Sequence, residues 1–371
     1  MKAKKIFILL LALSLLAALL AGCGGKDNNN NINNNNNEYT GEPSGIVKLG
    51  LGVINDIDSS TDYVPAEGDN EAILPFGQVN TTMAAVAIDK DGRVVDVIID
   101  TAQTRVIFDE NLKVTNKSAE FKSKKELKEE YGMGRASSIG KEWYEQIEAL
   151  EKWMIGKTIA EITGLKTNAS DDGSRHVPDV PELTSSVTIG VDDYLAVVEK
   201  AFANTIEVAS AEKLGLGNIT SIAKSRDYVP AEGDAEEILP LAQVDTVISA
   251  AVFDKNGKVA GVLIDTAQII VQFDARGKVT NRDAVLKTKK ELKDDYGLGR
   301  ISPIGKEWYE QIEALEKWMV GKTVAEITGM KTKATDDNHP HVPDVPELTS
   351  SVTITVEDYL AVMKKAAAIA R

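Results

Sequence analysis

The thirteen residues HVPDVPELTSSVT occur twice without a change, at His176–Thr188 and His341–Thr353. The copies lie 165 positions apart, and the same offset aligns Lys48 with Lys213, Tyr63 with Tyr228, Trp143 with Trp308 and Trp153 with Trp318, with no insertion. A chain written twice in this way folds one unit twice, so the repeat sets the domain count before any element is placed. Exposed positions have drifted between the copies, as where Glu129-Glu130 became Asp294-Asp295, while a threonine-rich segment with no apolar period stayed fixed. That contrast marks the segment as a candidate for chemistry.

At 371 residues the chain holds two domains of common size, expected over 45–210 and 211–371. The net charge is −15, with both signs mixed along the sequence. No basic stripe exists to neutralise phosphates, which excludes nucleic acid as a partner. The N-terminus reads as a signal peptide over 1–22: Lys2, Lys4 and Lys5 precede an apolar run from Ile6 to Leu20, which ends at Ala21-Gly22. Cys23 is the sole cysteine, so no disulfide forms within one chain. Its place after Leu20-Ala21-Gly22 resembles the lipobox of bacterial lipoproteins and implies a lipidated Cys23 that anchors the protein on the extracytoplasmic face of the cell membrane. Residues 23–44 include an asparagine run and read as a flexible tether, with a reach of roughly 25 Å.

Each copy opens with a polar, turn-rich segment, DYVPAEGD, at Asp62–Asp69 and Asp227–Asp234. Two β-rich runs follow, Thr82–Ile88 and Val94–Asp100 around Asp91-Gly92, and Val247–Phe253 and Val259–Asp265 around Asn256-Gly257. Such dipeptides between apolar runs predict hairpins. A third run, Arg105–Phe108 or Ile270–Phe273, is expected to extend the sheet. The second half of each copy is helical: Lys141–Met154 puts Trp143, Ile147, Leu150 and Met154 on one stripe, Thr158–Thr163 predicts a short helix, and Val191–Ala203 a last one. Thr355 and Asp358 have capping-box spacing. The predicted class is α+β, two tandem copies of a twisted antiparallel sheet packed by helices.

The threonine cluster thus runs toward a helix N-terminus, where unpaired N–H groups and the dipole favour an anion. Capping alone accounts for one residue of the segment, not thirteen. Glu182–Thr188 and Glu347–Thr353, ELTSSVT in both copies, resemble the flavinylation signature of FMN-binding domains, in which an acidic residue, two variable residues and Ser-Gly-Ala-Thr precede a helix. Here Glu stands for the usual Asp, Ser186 and Ser351 for Gly, and Val187 and Val352 for Ala. The resemblance implies that a flavin transferase esterifies the phosphate of FMN to Thr188 and Thr353, giving two covalent FMN groups, with Ser185, Ser186, Ser350 and Ser351 beside them. The phosphate would then sit at the helix N-terminus.

Lipobox, tether and doubled motif together resemble the surface lipoproteins of flavin-based extracellular electron transfer in Gram-positive bacteria. This implies an electron donor in a membrane quinone or NADH dehydrogenase system, external electron acceptors, and an electron carrier without its own substrate pocket, or else a terminal extracellular reductase. A second reading is an extracytoplasmic solute- or ligand-binding lipoprotein without redox activity. A Ser or Thr hydrolase is disfavoured because no G-x-S-x-G elbow occurs.

Further candidates around the flavin are the loops Gly132-Met133-Gly134 and Gly297-Leu298-Gly299, whose glycines allow close backbone approach. Trp143 and Trp308 supply either a stacking face or core packing. Arg135 and Arg300 either offset flavin charge or lie on the surface. Asp100 and Asp265, which open DTAQ in each copy, either contact flavin or shape a turn. His176 and His341 lack the neighbours a metal site needs and are expected to be structural or to touch the flavin weakly.

Overall fold

The central hairpin of each copy is apolar on both faces, and the architecture follows from the need to cover each of them. In the computed structural model, which describes residues 45–170, 173, 175–337 and 339–371, the chain is α+β with antiparallel sheets. The first copy runs β1 (Ile46–Asp56), β2 (Phe76–Ile88), β3 (Val94–Ile107), α1 (Lys124–Leu127), α2 (Trp143–Met154), α3 (Ile159–Thr163), β4 (Thr167–Ala169), β5 (His176–Pro178), α4 (Pro181–Thr184) and α5 (Asp192–Ala203). After a linking strand, β6 (Thr205–Ala211), the second copy repeats the order as β7 (Lys213–Ser221), β8 (Leu241–Phe253), β9 (Val259–Gln272), α6 (Lys289–Leu292), α7 (Trp308–Met319), α8 (Val324–Thr328), β10 (Thr332–Lys333), β11 (Val342–Pro343) and α9 (Glu357–Ala368). The signal sequence, Cys23 and the tether expected over 1–44 lie outside the described residues.

The hairpins form where Asp91-Gly92 and Asn256-Gly257 place them. Asp89 Oδ1 accepts from the N–H groups of Asp91 and Arg93, and Gly92 takes a φ of 77° that a larger residue would resist. The runs at Arg105 and Ile270 are the far ends of β3 and β9, not separate strands, because each hairpin arm is 13 or 14 residues long. The added strands of each sheet are instead β1 and β7. The first sheet has the order β3-β2-β1-β6 and the second β7-β8-β9. In the second sheet Leu214 exchanges backbone bonds of 3.0 and 3.1 Å with Arg371, as Leu49 is paired with Ile206 in the first. β6 closes the first sheet through Ala211, one residue past the expected boundary.

The strand period divides the core. Along β2, Met83, Ala85 and Ala87 face one way, while Ala84, Val86 and Ile88 face the other. The second set packs with Trp143, Ile147, Leu150 and Met154 of α2 and with Val197, Val198 and Ala201 of α5. Helix α5 lies close over β1 because Gly50 and Gly52 have no side chain: a Cβ at either would overlap the carbonyl of Ala201 or Val197. Gly215 and Gly217 do the same for α9.

The first set, Met83, Ala85 and Ala87, packs against the other copy. Val79, Met83 and Val106 share one cluster with Val244, Ile248 and Val271, so the two sheets lie face to face on a common core with helices outside. An internal dyad relates the copies. Phe108 meets its own counterpart Phe273 edge-on at 5.2 Å, Tyr63 N donates to Gly277 O while Tyr228 N donates to Leu112 O, and Val114 N and Val279 N donate to Asp227 and Asp62. Lys200 pairs with Glu291, and Lys365 with Glu126. The dyad is imperfect where the two sheets meet. Gly77 faces its counterpart Ala242, whose Cβ a methyl at Gly77 would overlap; and Leu112, held at a φ of 57°, reaches over its counterpart Gly277.

The shared core predicts that neither copy is stable as a free monomer. Residues 45–211 expressed alone should aggregate or self-associate through the bared sheet face, measured by light scattering after size exclusion. A soluble, cooperatively folding monomer would contradict this. In the full chain, Phe108→Ala should cost about 3–5 kcal/mol in urea unfolding.

Candidate functional site

The loop that carries the repeated threonine is fixed by a side chain from α2. Gln146 is fully buried on the apolar face of that helix, between Trp143 and Ile147. Its Oε1 accepts the backbone N–H of Thr188 at 2.9 Å and faces the Thr188 hydroxyl at 3.3 Å. Its Nε2 donates to Ser137 Oγ and to the carbonyl of Lys141, so one amide ties the threonine to the loop before α2. Gln311 repeats each of these bonds, with Thr353 N at 2.8 Å and its hydroxyl at 3.3 Å. Neither glutamine is a candidate on sequence grounds alone, although a polar residue on the stripe beside Trp143 is the available signal.

The rest of the motif is arranged around this bond. Val187 and Val352 point into the core, and Leu183 and Leu348 anchor the preceding turn. Ser186 and Ser351 are half-buried and turn their hydroxyls back on the carbonyls of Leu183 and Leu348; Ser185 and Ser350 are exposed. In the second copy Thr353 lines a cavity of about 300 Å³ with Leu298, Ile301, Pro303, Ile354 and Lys333. The structure therefore brings together two features that lie 55 positions apart in sequence, the threonine and the Gly297-Leu298-Gly299 loop. The glycines themselves have local reasons. Gly132 and Gly297 sit at φ 76° and 77° between two 3-10 turns, and a Cβ at Gly134 or Gly299 would crowd the carboxylate of Glu142 or Glu307. In the first copy that carboxylate accepts Met133 N at 2.8 Å.

Other expected members lie elsewhere. Trp143 and Trp308 are 2% exposed, donate from Nε1 to the hydroxyls of Tyr194 and Tyr359, and have Lys124 and Lys289 over their rings at 5.4 Å. The stacking reading gives way to core packing, because both the edge and a face of each indole are already engaged. Burial beside these rings pulls Lys289 down to about 8 and pushes the Tyr194 and Tyr359 phenols well up. Asp100 and Asp265 are buried away from the threonine cavity, each accepting two backbone N–H groups on Oδ1, and desolvation raises both carboxyls. Arg135 and Arg300 are exposed.

Two expectations about the helix N-terminus are corrected. Thr355 does not cap α9: Val356 holds the N-cap position, and the Thr355 hydroxyl is buried without a partner. The first turns of α5 and α9 carry Asp192-Asp193 and Glu357-Asp358, which already complement the helix dipole, so a phosphate there would meet like charge. His176 uses this feature structurally, with Nδ1 2.8 Å from Asp192 and its backbone N–H on the same carboxylate; His341 lies 3.3 Å from Glu357.

Two further clefts run between the copies, lined beside Asp100 and beside Asp265. The sequence gives no sign of them, because each is built from residues of both repeats.

No protein-family model and no solved structure matches the chain. A curated protein, the chlorophenol reductase of Desulfitobacterium hafniense, is 31% identical over 172 residues, which cover 43% of this chain and 51% of that protein. The chain thus spans about half the length of this relative, over a stretch comparable with one 165-residue repeat.

If Gln311 holds the threonine, Gln311→Ala should strand the Thr353 N–H and cost about 1–3 kcal/mol in urea unfolding. Thr353→Ala, which keeps that N–H bond, should cost clearly less. Equal losses would mean that the amide contact carries no weight.

Proposed function

We propose that the chain is a membrane-anchored extracellular electron carrier with two FMN groups esterified to Thr188 and Thr353. The observation that carries this reading is the placing of Thr353 in the lining of a cavity, its backbone pinned by a buried glutamine, with the same bonds repeated at Thr188. At about 300 Å³ the cavity is at the small end of ligand sites, so it would take part of a flavin and leave the remainder toward solvent. Leu298, Ile301 and Ile354 would face the ring, and the lining lysine, Lys333, would have to share its charge between a phosphate and Asp344, with which it pairs at 3.0 Å. FMN, when bound, supplies one- and two-electron chemistry.

The protein's own part is to present the hydroxyl. Gln146 and Gln311 orient it as an acceptor-bound donor, and an amide oxygen takes no proton at neutral pH, so the base for esterification belongs to the transferase. With FAD as donor, the threonine oxygen replaces AMP on the flavin-side phosphorus and its proton leaves with the base. A covalent link keeps the cofactor where a dissociable one would be lost to the medium. Cys23, lipidated, would hold the body at the membrane surface within reach of a quinone or NADH dehydrogenase system, and the two sites would pass electrons to external acceptors. Among the described residues no helix is long and apolar enough to cross a membrane. The relative's name, a reductase, is of the same redox class as this reading. The clefts between the copies favour the second reading, a ligand-binding lipoprotein without redox activity.

Co-expression with a flavin transferase should add two FMN masses to the intact protein, and Thr188→Ala or Thr353→Ala should remove one each. The double variant should fold normally yet lose reduction of ferric iron by cells. Both flavins retained in both single variants, or wild-type iron reduction by the double variant at normal abundance, refutes the proposal. Separately, Cys23→Ala should release the protein from the membrane or leave it uncleaved, read by fractionation and immunoblot.

A further inference from the structure

The two clefts between the copies are dyad-related, yet they treat their buried carboxylates differently. The first, about 440 Å³, contains Asn218 and Arg371. There the Asn218 amide reaches Asp100 Oδ2 at 3.4 Å, and Arg371 Nη2 donates to Glu151 Oε2 at 2.9 Å. The second, about 360 Å³, has Val53 where the first has Asn218. Ile206 is likewise the counterpart of Arg371. Asp265 and Glu316 are nonetheless buried like their twins, each 7% exposed.

In the second cleft Asp265 Oδ1 is bonded to the N–H groups of Thr266 and Lys290, and Glu316 Oε1 to Lys290 Nζ and Ile264 N. The Thr288 hydroxyl lies beside the Asp265 carboxyl, as that of Ser123 does beside Asp100. The amide and guanidinium donors of the first cleft have been replaced by hydrocarbon. Asp265 keeps its backbone N–H groups and the Thr288 hydroxyl, but the side-chain amide that reaches Asp100 Oδ2 in the first cleft has no equivalent here, and an N–H supplied by a ligand would stand in its place. The surrounding wall offers Leu51, Val53 and Leu263 to an apolar group, with Tyr309 at the edge.

We propose that the second cleft is a binding site for a small molecule that presents a carboxamide-type N–H₂ to Asp265 and rests an apolar body on Leu51, Val53 and Leu263. The Asn218 side chain is the protein's own version of that ligand group in the first cleft. This site shares no lining residue with the cavity at Thr353, so it stands whether or not the threonines carry flavin.

The probe is benzamide, titrated calorimetrically into the purified full-length protein, with N,N-dimethylbenzamide as the analogue that keeps ring and carbonyl but has no N–H. Benzamide should bind one equivalent, and the dimethyl compound at least about tenfold more weakly. Val53→Asn supplies the missing amide and should remove the site; Asn218→Val vacates the first cleft and should add a second equivalent. Should Val53→Asn fail to fold, the Asn218→Val gain decides. No benzamide binding to the wild type, equal binding of the two amides, or no gain in Asn218→Val overturns the proposal.

Discussion

The burial of one sheet face on the other is the constraint from which the rest of the structure follows. Each copy presents a hairpin that is apolar on both sides, and its own helices cover one side alone. At about 25 cal/mol per Å² of apolar area, a bare sheet face of this kind is a large liability, and the second copy removes it. Once the sheets are joined, the helices are forced outward, the threonine loops lie on the helical layers, and the lines where the two copies meet become clefts. The position of the two clefts is therefore set by a contact that neither copy makes alone, while each threonine site is assembled within its own copy.

Much of this was legible where short-range chemistry decides. The Asp-Gly and Asn-Gly turns, the stripe of Trp143, Ile147, Leu150 and Met154, and the Thr158 start of α3 appear where the sequence places them, because each rests on neighbours within a few residues. The strand β1 is not legible in the sequence. Its Gly50 and Gly52 weaken any strand pattern, and they make sense only once α5 is seen to lie over them. Thr355 has the right spacing for a cap, but the carboxylates of Glu357 and Asp358 already complement that helix end.

The candidate site was half readable. The threonines and the glycine loop carry their own marks, and the cavity at Thr353 unites them. What the residues could not reveal was the choice between roles open to the same side chain. A tryptophan beside a glycine loop serves a ligand or a core equally well on paper, and the choice here turns on a tyrosine hydroxyl 51 positions away. Gln146 and Gln311 are the converse case: ordinary members of a helix in sequence, and in space the groups that hold the threonine.

The imperfections of the dyad carry a historical meaning. In a dimer of identical chains, a residue on the axis meets itself, and a change on one side is imposed on the other. Ala facing Ala at the Gly77–Ala242 contact would collide, and Leu facing Leu at the Leu112–Gly277 contact would compete for one space. Joining the copies in one chain frees each half to answer the other with a different residue. The pairs now present are closer than Ala facing Ala or Leu facing Leu could tolerate. Separate genes for the two halves would have to evolve recognition of unlike partners, whereas a tandem duplication obtains a heterodimer's freedom with a homodimer's certainty of pairing.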